Sequence, residues 1–215
     1  MQNLHRYIEQ TNLKPVITAS DIDTLTQQAI QHNFRGICVP PFWVKKASRD
    51  IADLDVQLVT VIGFPLGYQM TEVKMEEIKL AIRDGADELD IVMNISSFKT
   101  GLPWTKIELA KCSSLIHEHS CLVKVIIETA YLNDSEIETA CKLCADAGVD
   151  FVKTSTGFAS EGAQLKHIEL MRKVLPSQVG IKSSGGIKTR EQAIQLIEAG
   201  ADRIGTSSGV EIVSV

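Results

Sequence analysis

The chain has 215 residues, of which 44% are hydrophobic and 23% are charged, and its formal net charge is −5. This composition is that of a globular protein with a sizeable core, and it excludes a disordered or fibrous chain. The acidic balance, without a basic stripe, argues against a nucleic-acid partner, whereas a local pocket can still attract a small anionic substrate.

No run of residues approaches the roughly 18 apolar positions of a membrane helix, and no apolar signal-peptide core follows the first six residues. The five cysteines are scattered and odd in number, which favours free thiols over a disulfide framework. We therefore expect a cytoplasmic protein that does not associate with membranes. We also expect one domain over residues 1–215.

The chain alternates short β-branched runs with longer helical patterns. The runs predict strands at residues 7–11, 36–39, 57–62, 88–92, 122–127, 150–153, 179–182 and 203–205. The helical patterns between them cover residues 21–32, 71–83, 104–119, 134–146, 164–174 and 189–198. The predicted N-caps are Ser20, Thr71, Asn133 and Thr189.

A four-residue pattern, Xaa-Gly-Xaa-Asp, recurs between a helix and the next strand, and it begins at Asp84, Ala147 and Ala199. Its glycine suits the left-handed position that ends a helix. Repeated units of this kind predict α/β architecture with a parallel sheet, and their number fits a closed (β/α)8 TIM barrel. A doubly wound open sheet is the competing fold, but its usual glycine-rich fingerprint does not follow the first strand.

Two lysines lie at strand ends, where a barrel of this type carries its active site. Lys153 and Lys182 each end an apolar strand and precede a loop of Ser, Thr and Gly. Two close ammonium groups depress each other's pKa, and partial burial depresses it further. A neutral amine is what Schiff-base chemistry requires. The plainer interpretation is a pair of solvated lysines.

Other polar side chains accompany these lysines. Asp90 lies within an apolar strand, where it either relays protons beside a lysine or forms a structural ion pair. Lys124 shares side-chain parity with Glu128, so a structural pair in the barrel interior is as good an interpretation as catalysis. Cys38 ends a strand and either faces the mouth or packs in the core. Thr154, in the loop after the sixth strand, is a further candidate for the mouth or interior.

The loops after the late strands are rich in small residues. Barrels frequently bind phosphate after the seventh and eighth strands, where the backbone N–H groups of glycine turns surround the oxygens. The candidate phosphate ligands are Gly157, Gly185, Gly186, Ser207 and Ser208. Cys141 and Cys144 have zinc spacing but lie within a predicted helix without a second pair. We therefore expect no metal and no cofactor.

Two of these segments resemble deoxyribose-phosphate aldolase. They are Phe-Val-Lys-Thr-Ser-Thr-Gly at residues 151–157 and Ile-Lys-Ser-Ser-Gly-Gly at residues 181–186, and five further segments support the likeness in order along the chain. The resemblance implies a metal-independent class I aldolase on a TIM barrel. Such an enzyme reversibly cleaves 2-deoxy-D-ribose 5-phosphate to D-glyceraldehyde 3-phosphate and acetaldehyde in deoxyribose phosphate catabolism. The resemblance also implies that Lys153 forms the imine, that Lys182 perturbs Lys153 and moves protons, and that Asp90 belongs to the proton relay.

The chain departs from that family at Glu9-Gln10-Thr11, where Asp-His-Thr is usual, and at Pro40-Pro41, where Asn-Pro is common. The resemblance therefore predicts the chemistry of the reaction, but it does not predict the details of the substrate mouth or the rate. Three alternatives stay open: a Schiff-base aldolase with another donor, a phosphosugar isomerase, and a non-catalytic sugar-phosphate-binding barrel. A homo-oligomer, as a dimer or tetramer, is compatible with each of them.

Overall fold

The computed structural model describes residues 3–214. Eight parallel strands close into a barrel in chain order, and the first strand pairs with the last. The strands are β1 (Ile8–Thr11), β2 (Gly36–Val39), β3 (Gln57–Ile62), β4 (Glu88–Val92), β5 (Leu122–Ile126), β6 (Phe151–Lys153), β7 (Gly180–Ser184) and β8 (Arg203–Thr206). The predicted TIM barrel is confirmed.

Helices surround this barrel and cover the outward side chains of the strands. Within residues 3–214 they are α1 (Ala19–Gln31), α2 (Val44–Ile51), α3 (Thr71–Arg83), α4 (Ile95–Lys99), α5 (Trp104–His117), α6 (Asp134–Asp146), α7 (Leu165–Val174), α8 (Arg190–Glu198) and α9 (Gly209–Val213). The main hydrophobic core lies between helices and strands. None of the helices in this range has the length and apolar character that crossing a membrane requires.

The predicted strands and helices agree with the observed ones within two residues at each end, but α2, α4 and α9 were not predicted. Asn133 and Thr189 cap α6 and α8 as predicted, each accepting a hydrogen bond from a backbone N–H of the first turn. The predictions for Ser20 and Thr71 are wrong. Thr18 occupies the N-cap of α1, two residues earlier, and Thr71 is itself the first residue of α3.

The recurring Xaa-Gly-Xaa-Asp pattern closes the N-terminal end of the barrel. Its glycines adopt the expected positive φ angles, which are 106° at Gly85, 76° at Gly148 and 115° at Gly200. Each aspartate accepts a hydrogen bond from the second backbone N–H of the preceding strand: Asp87 from Leu58 at 2.7 Å, Asp150 from Val123 at 2.8 Å and Asp202 from Ile181 at 2.8 Å. These contacts tie neighbouring strands at one end and leave the opposite end for the site.

Candidate active site

Six charged side chains meet inside the barrel, where bulky apolar residues usually pack. All six are buried. We name them the interior charge cluster, and they are Glu9 on β1, Glu88 and Asp90 on β4, Lys124 on β5, Lys153 on β6 and Lys182 on β7. At full ionisation three ammonium groups balance three carboxylates, and this balance offsets part of the cost of removing each charge from water.

Asp90 lies at the centre of the interior charge cluster. Its Oδ2 accepts hydrogen bonds from Lys153 Nζ at 2.8 Å and from Lys182 Nζ at 2.7 Å, and its Oδ1 accepts one from Lys124 Nζ at 3.1 Å. The strand register explains the contacts, because Lys153 lies opposite Lys182 and Lys124 lies opposite Asp90. The structure thus brings together the three side chains that were predicted to be catalytic.

Glu9 is a member of the cluster that was not predicted. Its carboxylate forms an ion pair with Lys182 and lies 3.7 Å from Lys124 Nζ. In the sequence, Glu9 attracts attention only as part of the departure in residues 9–11. A usable signal was nevertheless present, since a carboxylate next to the buried Ile8 in a short strand needs a cationic partner.

Contacts within the cluster shift the pKa values of Asp90 and Lys182. Burial by itself would raise the pKa of Asp90, but the charges of Lys124, Lys153 and Lys182 outweigh it and hold that pKa well below its usual range. Burial would lower the pKa of Lys182, yet Asp90 and Glu9 raise it above the usual value. The expected depression by a neighbouring ammonium group is therefore wrong for Lys182, because carboxylates lie beside it.

A cavity of about 210 Å³ opens at the C-terminal ends of the strands, and we name it the mouth cavity. It is lined by residues 11–14, 153, 156–158, 184–188 and 205–207. Lys153 is the member of the interior charge cluster that reaches the cavity wall. An incoming molecule therefore meets this amine first, while Lys182 and Asp90 lie beneath it.

Four of the five predicted phosphate ligands line the mouth cavity: Gly157, Gly185, Gly186 and Ser207. The three glycines have φ angles of 86°, 91° and 75°, in the left-handed region that favours glycine. Ser208 does not line the cavity and instead occupies the N-cap of α9.

Two exposed lysines, Lys14 and Lys188, also line the mouth cavity. Neither was predicted as a site residue. Lys188 follows the glycine pair of the β7 loop by two positions, and Lys14 lies three residues beyond β1. Their positions after strand ends were the signal that could have identified them. Both place an ammonium group where an anion would be attracted, although the chain as a whole is acidic.

The remaining predicted residues lie beside the cavity and not on its wall. Cys38 is fully buried with Val59 and Val61, and burial raises the pKa of its thiol. Thr154 Oγ1 donates a hydrogen bond to the carbonyl of Ser184 and accepts one from its N–H, each at 3.1 Å. These contacts give Cys38 and Thr154 packing and loop-positioning roles in this structure.

Of the two interpretations given for Lys124, the structural pair with Glu128 is wrong. Lys124 contacts Glu88 and Asp90, whereas Glu128 accepts hydrogen bonds from the N–H and the hydroxyl of Thr156. The reason is local backbone geometry. Glu128 follows β5 with a φ angle of 47°, so the strand alternation that links it to Lys124 has already ended.

Within residues 3–214, no three His, Cys, Asp or Glu side chains are grouped so that they could hold a metal ion. Cys141 and Cys144 are buried within α6, as expected for packing residues. The expectation that neither a metal nor a cofactor takes part stays a prediction.

Comparison with known proteins shows the family of the chain. Residues 5–214 match the family described as DeoC/LacD family aldolase. The chain belongs to this family. Deoxyribose-phosphate aldolase of Thermococcus kodakarensis is 50% identical over 215 residues, which cover 99% of this chain and 96% of that protein. The enzyme of the same name from Brevibacillus brevis is 47% identical over 213 residues, which cover 99% of this chain and 96% of that protein.

Solved structures agree with this placement. The structure of deoxyribose phosphate aldolase from Aeropyrum pernix, described as a unique tetramer, has a TM-score of 0.92 at 33% identity and covers 98% of this chain and 89% of that one. An aldolase designated QR15 has a TM-score of 0.94 at 42% identity and covers 100% of this chain and 96% of that one. The predicted family and the prediction that the chain is an aldolase are confirmed.

Proposed function

We propose that the chain reversibly cleaves 2-deoxy-D-ribose 5-phosphate to D-glyceraldehyde 3-phosphate and acetaldehyde, with Lys153 as the imine-forming residue. The observation that carries the proposal is that Lys153 joins the interior charge cluster to the mouth cavity. Full-length relatives that are named deoxyribose-phosphate aldolase support the choice of substrate.

The positions of the carboxylates favour Lys153 over Lys124 and Lys182 as the residue that forms the imine. Lys182 contacts Glu9 and Asp90, and Lys124 contacts Glu88 and Asp90. Lys153 contacts Asp90 alone, through an oxygen that it shares with Lys182. The ammonium charge of Lys153 is therefore the least compensated of the three, and its neutral form leaves the other ion pairs in place.

Imine formation begins when the neutral amine of Lys153 attacks the C1 aldehyde of the open-chain sugar and gives a carbinolamine. Loss of water then produces a protonated imine, which can accept an electron pair in the next step. Asp90 Oδ2 lies 2.8 Å from Lys153 Nζ and 2.7 Å from Lys182 Nζ. We assign to Asp90 and Lys182 the transfer of protons to and from the carbinolamine.

Cleavage follows when a base removes the proton of the C3 hydroxyl. The C2–C3 bond breaks, its electron pair forms the C1–C2 double bond of an enamine, and C3 leaves as the aldehyde of glyceraldehyde 3-phosphate. Protonation of the enamine at C2 and hydrolysis of the resulting imine release acetaldehyde and regenerate Lys153. We assign the proton relay to Asp90, acting with Lys182 and water.

The phosphate end of the substrate is assigned to the wall of the mouth cavity that the β6, β7 and β8 loops form. Gly157, Gly185 and Gly186 let the backbone approach an anion, while Lys14 and Lys188 supply positive charge. Binding of this remote group supports orientation at the reacting carbon. Because the imine supplies the electron sink, we propose that no metal or cofactor is needed.

A donor panel tests the proposal. Incubation with deoxyribose 5-phosphate should release acetaldehyde and glyceraldehyde 3-phosphate in equal amounts, measured by two separate coupled assays. In the synthetic direction, acetaldehyde should be preferred to ketone donors. Preference for another donor would instead assign a different Schiff-base aldolase. Binding of the sugar phosphate without turnover of any donor would assign a non-catalytic binding protein.

We also propose that the chain forms a homo-oligomer, as a dimer or tetramer. The tetrameric description of the Aeropyrum pernix relative supports this, as do the exposed side chains of Tyr68, Met70 and Trp104. Light scattering coupled to size-exclusion chromatography would measure the mass, and a monomer at all concentrations would contradict the proposal. The expected cytoplasmic location stays a prediction, which cell fractionation would test.

A further inference from the structure

The side chain of Gln10 joins β1 to the loop that follows β8. Glu9 and Gln10 are adjacent in β1 and therefore point to opposite faces. Glu9 enters the interior charge cluster, whereas Gln10 points outward, toward the helices. Although it is polar, Gln10 is only 3% exposed, so its amide must find partners within the protein.

Two of those partners flank Ser208: Ser207 in the loop after β8, and Gly209 at the beginning of α9. Gln10 Oε1 accepts a hydrogen bond from the N–H of Gly209 at 2.9 Å, and Gln10 Nε2 donates one to the carbonyl of Ser207 at 3.3 Å. Nε2 also donates to Gln28 Oε1 of α1 at 2.9 Å, which fixes the orientation of the amide. The side-chain amide thus spans residues 207–209 as a neighbouring peptide group would.

The contact between Gln10 and the backbone of Gly209 leaves no room for a side chain at position 209. A Cβ atom at position 209 would lie 2.5 Å from Gln10 Oε1 and 2.8 Å from Ile8 Cγ2, so the amide and the backbone of the loop are in direct contact. Ser207, at the beginning of the loop, lines the mouth cavity. A change at Gln10 would therefore move a cavity wall without touching Lys153, Lys182 or Asp90.

We infer that Gln10 is a positioning residue for the phosphate half of the site, an inference that rests on the proposed function. Its amide holds the β8 loop in the conformation that receives the phosphate group, and it does not act on the aldehyde end. The two residues that replace the usual Asp-His therefore have different roles. Glu9 forms an ion pair within the interior charge cluster, and Gln10 holds the β8 loop in place.

The test compares Gln10→Met with Gln28→Met. Methionine keeps the length of glutamine but forms none of its amide hydrogen bonds. Gln10→Met should raise KM for deoxyribose 5-phosphate about tenfold, which corresponds to about 1.4 kcal/mol, with kcat changed less than threefold. Unphosphorylated deoxyribose should be cleaved with an unchanged kcat/KM. Gln28→Met removes only the outer hydrogen bond and should change KM less than threefold.

Inorganic phosphate provides a second measurement. It should inhibit the wild-type cleavage of deoxyribose, and Gln10→Met should weaken that inhibition by a similar factor. Gln10→Glu keeps the acceptor for Gly209 but loses the donor for Ser207 and adds a negative charge, so it should weaken phosphate inhibition further. This variant also serves if Gln10→Met does not fold.

Two outcomes separate the inference from the proposed function. If the wild type prefers the phosphorylated sugar and Gln10→Met loses equal activity on both sugars, or on neither, the role of Gln10 is wrong and the aldolase assignment stands. If the wild type cleaves both sugars equally well, the phosphate site itself is wrong, and the inference about Gln10 is overturned with it.

Discussion

Replacing Asp90 by Asn tests whether one carboxylate holds the interior charge cluster together. The substitution keeps the shape of the side chain but removes its charge. In the wild type, Asp90 accepts hydrogen bonds from Lys124, Lys153 and Lys182 at 3.1, 2.8 and 2.7 Å. In the variant, the same three lysines face Glu9 and Glu88 alone, so the buried cluster carries one uncompensated positive charge.

The burial of Asp90 determines the size of the energetic cost of this substitution. Asp90 and its three partners are at most 2% exposed, so solvent does not screen the loss. Removing one partner from a buried ion pair costs about 3–5 kcal/mol, a large part of the roughly 5–15 kcal/mol that stabilises a typical domain. The pKa of Asp90 is lowered in the folded state. Its stabilisation is therefore fully present above the unfolded-state pKa of about 3.9 and is lost as the pH falls through the lower folded-state pKa.

Urea unfolding at pH 7 measures this stabilisation in full. Asp90→Asn should lower the free energy of unfolding by about 3–5 kcal/mol, and it should slow C–C cleavage by about 10²-fold or more while leaving imine formation partly intact. The matched control is Glu76→Gln, which breaks an exposed pair with Lys79 and should change neither quantity measurably. Wild-type stability together with wild-type cleavage in Asp90→Asn would refute the role assigned to this carboxylate.

Three more experiments test the residues of the site and the absence of a metal. Lys182→Leu removes one of the two ammonium groups that contact Asp90 Oδ2, so the pH profile of imine trapping should move to higher pH; an unmoved profile would contradict this. Gly186 has a φ angle of 75° and open space around it, so Gly186→Asp should raise KM for the phosphorylated sugar far more than for deoxyribose, while the equally shaped Gly186→Asn should have a much smaller effect. Equal effects of the two variants would exclude a charge-based role for this loop. Activity should survive dialysis against EDTA, and a loss that zinc restores would show that a metal takes part.

The positions of the main site residues could be predicted because they depend on local pattern. Lys153 and Lys182 each end a strand before a glycine-containing loop, and parallel strands bring such ends to one face of a barrel. The three glycines of these loops have the positive φ angles that their residue type favours. Strand order then makes Lys153 and Lys182 neighbours.

The residues that were missed depend on contacts between distant parts of the chain or on local backbone geometry. Glu9 and Lys182 are 173 positions apart and meet because β1 closes the barrel against β8 beside β7. Glu128 leaves the strand alternation through a single left-handed residue, which no periodicity shows. By contrast, α2 was missed although Val44, Ala47 and Ile51 carry the helical spacing of a buried face.

Borohydride trapping tests most directly whether Lys153 is the residue that forms the imine. The protein is incubated with acetaldehyde or deoxyribose 5-phosphate, reduced with borohydride, weighed intact and mapped by peptide mass spectrometry. Acetaldehyde should add one ethyl group per chain, the group should be on Lys153, and a Lys153→Leu variant should be neither labelled nor active. Labelling of Lys182 or Lys124 in its place, or full turnover without any trapped adduct, would contradict it.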